Sequence, residues 1–171
     1  MSIVLIGYRG SGKTTIGKRL ADRLWQPFVD VDDLIVQRAG KSIKDIFEQD
    51  GEPAFRELEE TAVNEACGLA EHVISLGGGA VLREANRQAL AQSAHHVVYL
   101  KCEPAELHKR IHADPATAAM RPILTHLGGG LEEITKLIKE REPLYRQVKT
   151  AELDVTNLTP EDAVVYIVRL L

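Results

Sequence analysis

The chain has 171 residues, 44% of them hydrophobic, and a formal charge of −4, which suits one domain with a sizeable core. An acidic balance with scattered Lys and Arg gives no basic field for nucleic acid, and no apolar run approaches the ~18 residues of a membrane span. The chain enters an apolar run at once, with no signal-peptide pattern, and Cys67 and Cys102 lack metal-ligand spacing, so a cytoplasmic protein with buried, reduced thiols is expected.

Ile3-Val4-Leu5-Ile6 reads as a strand buried on both faces. Gly7-Tyr8-Arg9-Gly10-Ser11-Gly12-Lys13-Thr14 follows it directly and leads into a helix from about Gly12 to Leu24. Phe28 to Asp33 reads as a short second strand ending in carboxylates, and Leu34 to Ala39 as a helix stopped by Gly40. Ser42 is placed to cap Ile43 to Glu48, with Asp45 in the capping-box position. Pro53 suits the first turn of the next helix, which carries Phe55, Leu58, Ala62 and Ala66 at helical spacing. Glu57, Glu59, Glu60 and Glu65 are expected to form its solvated face.

His72 to Leu76 is the third strand and runs into Gly77-Gly78-Gly79. A helix over about Arg83 to Gln92, a fourth strand His96 to Leu100 and a helix from Pro104 to about Ile111 follow. His112 to His126 reads as a long loop, a length that usually signals function. Leu131 to about Tyr145 is helical, Glu152 to Val155 is a fifth strand, and Thr159-Pro160 caps a last helix, Glu161 to Leu171. Alternating strands and helices imply a parallel sheet covered on both faces, with ligands at the carboxyl ends of its strands.

The pattern G-x-x-x-x-G-K-[ST] between a strand and a helix is a phosphate cradle. Its glycines let backbone N–H groups point at phosphate oxygens, Lys13 reaches the β- and γ-phosphates, and the Thr14 hydroxyl is placed for Mg²⁺. At a strand end, Asp30 and Asp32 would point the same way: Asp30 to the water shell of the metal, Asp32 to the acceptor hydroxyl and its proton. The alternative is a turn of aspartates capping the next helix, for which Asp33 is the best placed. Arg141 shares a helical stripe with Ile134, Ile138 and Tyr145, so it needs an anion, either an internal carboxylate or that of a ligand. Arg121, beside Pro122 in the long loop, is either a solvated arginine or one that closes over the phosphates.

Taken together, Gly7 to Thr14, Asp30-x-Asp32, Phe55-Arg56, Ser75 to Gly79, Met120 to Leu124 and Arg141 to Tyr145 resemble the shikimate kinases, over the whole chain. The resemblance implies an α/β fold: a three-layer α/β/α P-loop kinase with a five-stranded parallel sheet of order 2-3-1-4-5 and a mobile lid. It implies a single domain over 1–171, with an acceptor-binding helical region at about 32–62 and the lid at about 112–126. The activity implied is transfer of the γ-phosphoryl group of ATP, with Mg²⁺, to the 3-hydroxyl of shikimate, in the route to chorismate and the aromatic amino acids. Asp32, Lys13 and Arg121 would be catalytic. Gly10, Ser11, Gly12, Lys13, Thr14, Thr15, Arg110 and Arg121 would bind the nucleotide, with Arg110 stacked on adenine. Asp32, Arg56, Gly77, Gly78, Gly79 and Arg141 would bind shikimate, the two arginines holding its carboxylate. Thr14 would ligate the metal, and Asp30 would reach it through water.

The partner implied is the small-molecule acceptor alone, with no nucleic acid and no membrane, and the expected state is a monomer. Ile111 to Met120 looks longer than in compact family members, and Thr156 to Pro160 lacks the basic residues some members have. The nearest rivals are a gluconate or nucleoside-monophosphate kinase of the same fold and a nucleotide-binding regulatory module.

Overall fold

A computed structural model describes residues 1–113 and 130–171. Its strands are β1 (Ile3–Ile6), β2 (Phe28–Asp30), β3 (Val73–Ser75), β4 (His96–Lys101) and β5 (Ala151–Asp154), paired in parallel in the expected order β2-β3-β1-β4-β5. The helices are α1 (Lys13–Leu24), α2 (Val31–Ala39), α3 (Ile43–Gln49), α4 (Gly51–Cys67), α5 (Glu84–Gln92), α6 (Pro104–Ala113), α7 (Leu131–Val148) and α8 (Pro160–Leu170).

The pleat of β1 divides the core. Val4 and Ile6 pack with Val31, Ile46, Phe55 and Tyr145 on one face. Ile3 and Leu5 pack with Ile16, Leu20, Leu107 and Ile167 on the other. A strand apolar at every position is what two covered faces require. Asp30 lies opposite Ser75, and Ser75 opposite Leu5, so β2, β3 and β1 end level with one another. The phosphate loop, the aspartates and the triple glycine therefore leave the sheet along one edge.

Several expectations need correction. The second strand stops at Asp30, because the Asp30 side chain accepts from the backbone N–H of Asp32 at 3.1 Å and turns the chain into α2 at Val31. Asp30, not Asp33, is thus the helix cap, and Asp33 lies in the first turn. On α4, Glu59 is 1% exposed, so one member of the expected solvated face belongs to the interior. The helix before the long loop runs to Ala113 and takes in His112, the first residues of the expected lid. Both cysteines are free, and Cys67 is only half-buried, its thiol pushed up to about 11 by that burial. The caps expected of Ser42 and Thr159 form, accepting from the backbone of Asp45 and Asp162. Trp25 ends α1 in a left-handed conformation (φ 55°) with its side chain in water, 95% exposed. Among the described residues, no helix is long and apolar enough to cross a membrane.

Candidate active site

Gly7, Gly10 and Gly12 take φ of 149°, 84° and 92°, the conformations that curl the loop ahead of α1. Lys13 Nζ donates to the carbonyls of Gly7 at 2.9 Å and Tyr8 at 3.0 Å, so it lies folded along the loop it serves. Ser11 is fully buried, and its hydroxyl has no hydrogen-bond partner. Thr14 and Thr15 open α1 with exposed side chains, and Thr14 Oγ1 donates to Asp30 Oδ2 at 2.8 Å.

The two aspartates diverge. As the cap, Asp30 faces Thr14 and the phosphate loop. Asp32, the second residue of α2, lines a cleft of about 480 Å³ of empty space together with Arg9, Phe55, Arg56, Glu59, Gly77 to Gly79 and Arg141. Successive helical residues point about 100° apart, which separates what a strand would have aligned. Thr14 and Asp30 form an all-oxygen donor pair, and among the described residues no group of three or more His, Cys, Asp or Glu stands ready for a metal. That set fits Mg²⁺, which keeps water and phosphate oxygens in its shell and takes one or two protein ligands.

Arg56 reaches the cleft from α4 already matched by acids. Its Nη1 donates to Glu59 at 2.6 Å, while Nε and Nη2 donate to Glu52 at 3.3 and 3.2 Å. A guanidinium has five N–H donors, so two remain. Burial pushes the Glu59 carboxyl up, and the Arg56 charge beside it pulls the other way. A methyl group on Gly79 would lie 2.6 Å from Arg56 Nη1, and one on Gly77 would lie 2.9 Å from Glu59 Oε1 and 3.0 Å from Asp32 Oδ1. The triple glycine is thus what lets three charged tips meet over bare backbone.

Arg141 is handled differently. It comes from α7, donates to the Gly78 carbonyl at 3.2 Å and lies over the Tyr8 ring, while its buried Nε has no hydrogen-bond partner. It makes no direct ion pair among the described residues, although its charge is felt by the Glu59 carboxylate. Tyr145 donates its hydroxyl to the same Gly78 carbonyl at 2.5 Å.

The family model for shikimate kinase matches residues 9–171. The shikimate kinase of Thermobifida fusca (strain YX) is 45% identical over 160 residues, 94% of this chain and 88% of that protein. The chain belongs to the shikimate kinase family. A shikimate kinase from Acinetobacter baumannii in complex with shikimate has a TM-score of 0.91 to it at 33% identity, covering 99% of this chain and 91% of that one. A gluconokinase from Sinorhizobium meliloti 1021, at TM-score 0.60 and 21% identity over 99% of this chain and 90% of its own, shares the fold alone.

Of the remaining residues, Arg110 on α6 donates to Glu106 at 2.9 Å and to the carbonyls of Val155 and Thr156 at 2.9 and 3.2 Å. It therefore braces the start of the Thr156 to Pro160 stretch. Arg121 and most of the expected lid lie outside the described residues. Glu59 and the cleft-lining Ile43, Phe47 and Phe55 had not been assigned to the site. Glu59 was findable: Phe55, Glu59, Ala62 and Ala66 fall at i, i+4, i+7 and i+11, the stripe spacing that drew attention to Arg141.

Proposed function

We propose that this chain transfers the γ-phosphoryl group of ATP to the 3-hydroxyl of shikimate, with the cleft between the phosphate loop and the triple glycine as its active site. The observation that carries the residue assignment is the contrast at the cleft wall. Arg141 brings a buried guanidinium with no ion pair among the described residues to the same cavity as the Asp32 carboxylate. A buried cation in that condition calls for an anion from outside, and the acceptor has a carboxylate to give.

In this reading Arg141 holds the carboxylate, assisted by the two remaining N–H donors of Arg56, and Gly77 to Gly79 lie along the ring. Asp32 accepts the proton of the 3-hydroxyl as that oxygen bonds to the γ-phosphorus, and the bond from phosphorus to the β,γ-bridging oxygen breaks to release ADP. The backbone N–H groups of Gly10 to Thr15 cradle the phosphates, Lys13 turns from the loop carbonyls to the transferring group, and Arg110 lies by the adenine. Arg121 would close from the lid, about 112–126, over an acceptor region of about 32–62. Thr14 and, through water, Asp30 would hold Mg²⁺, which when bound neutralises phosphate charge. Most of the catalysis assigned to these side chains is positioning and charge stabilisation.

A coupled ADP-release assay offering shikimate, gluconate, AMP and CMP tests the reading. Turnover with shikimate alone is expected. Turnover with gluconate or a nucleotide, and none with shikimate, would overturn it.

A further inference from the structure

Tyr8 belongs to the phosphate loop, yet its two ends serve different halves of the cleft. Its carbonyl accepts from Lys13 Nζ at 3.0 Å and from Ser11 N at 3.2 Å, which ties its backbone into the phosphate nest. Its ring, 5% exposed, lies under Arg141, whose guanidinium carbon is 5.5 Å from the ring centroid. Burial pushes the phenol up while the Arg141 charge pulls it down, and the net direction is upward, so the ring stays neutral beneath the cation. The polar attachments of Arg141 gather at one place: Nη1 donates to the Gly78 carbonyl, the guanidinium also hydrogen-bonds the Tyr145 hydroxyl that shares that carbonyl, and nothing bonds Nε. Attachments gathered at one carbonyl, with Nε unbonded, set the plane of the guanidinium only loosely. An aromatic face below removes the remaining freedom and sets the plane of the fork.

We propose that Tyr8 is a positioning residue for the acceptor, its ring fixing the plane of Arg141 relative to the phosphate loop. The acceptor carboxylate and the nucleotide phosphates are then held at one set separation, through a single residue anchored to both. An aliphatic side chain fills the same space without attracting the cation. The inference rests on the reading of Arg141 as the carboxylate anchor, and the experiment separates the two.

Steady-state kinetics are measured for Tyr8→Phe, Tyr8→Leu, Arg141→Ala and the double variant, with ADP affinity and melting temperature as controls. Tyr8→Phe keeps the shikimate KM, and Tyr8→Leu raises it about tenfold, the scale of a desolvated cation–π contact. ADP affinity is unchanged in both. In the Arg141→Ala background, Tyr8→Leu adds nothing further, because its effect passes through the arginine. An effect of Tyr8→Leu that is the same with and without Arg141, or no rise in KM, overturns the proposal while leaving the anchor intact. An unchanged shikimate KM in Arg141→Ala overturns the anchor itself and the proposal with it. Tyr8→Met carries the same prediction if Tyr8→Leu does not fold.

Discussion

In the proposed reading eight consecutive residues, Gly7 to Thr14, make the phosphate nest, whereas the acceptor wall takes side chains from α2, α3, α4 and α7, Arg9 from the loop itself and a turn of three glycines. The nest keeps its readiness for a ligand in backbone conformation, with three glycines at positive φ. The acceptor wall keeps it in buried charge, and it does so unevenly: Arg56 is flanked by Glu52 and Glu59, and Arg141 faces a ring and a carbonyl. An arginine matched by acids is held in place before any ligand arrives. An arginine without one gains most from the ligand.

Substitutions can break that comparison. The largest effect is expected from Asp32→Asn, with kcat lowered about a thousandfold and ATP affinity kept, since the loss falls on the proton and not on the nest. Wild-type turnover in single-turnover assays would remove Asp32 from the chemistry. Next comes the pair of arginines. Arg141→Ala should raise the shikimate KM about a hundredfold with little change in melting temperature. Arg56→Ala should also destabilise the fold, by about 3 kcal/mol, because it strands Glu59 in the interior. Equal melting temperatures for the two would erase the distinction between them.

Gly79→Ala tests the contact between turn and arginine. Its methyl group meets the tip of a flexible side chain, so stability should fall by only about 1 kcal/mol while the shikimate KM rises severalfold. The smallest effect is a pH dependence. The folded-state pKa of Glu59 is raised above the ordinary 4.5, since burial outweighs Arg56, Arg141 and Arg83. The folded protein therefore keeps this proton longer than the unfolded chain. The contribution is full below pH 4.5 and is lost as pH rises through the folded-state value. Glu59→Gln should flatten the decline of melting temperature with pH in that window, and an unchanged slope would assign the decline to other groups.

The alternation of strands and helices and the glycine loop were legible because each is written in a contiguous pattern, and Arg141 stood out by its helical period, whereas the strand order and Arg56 came only through the resemblance to the shikimate kinases. Phe28-Val29-Asp30-Val31 was misread because its pattern is ambiguous. Its alternation matches a strand, yet Asp30 followed by Asp32 and Asp33 is equally a helix cap with an acidic first turn. Only the hydrogen bond from Asp32 N to Asp30 decides between the two. Glu59 was missed because a lone glutamate among Glu57 and Glu60 reads as surface, although its place on the Phe55 stripe says interior. Periodicity locates a face, and it takes the neighbouring helix to show which charge that face must answer.

The chain has a single tryptophan, and Trp25 carries it at the far end of α1, almost wholly in water. At that exposure its emission should match that of free indole in buffer, and filling or emptying the cleft should leave the spectrum nearly still. A reporter of occupancy has to be introduced, and Phe47→Trp would put one on the cleft wall against a dark background once Trp25→Phe is made.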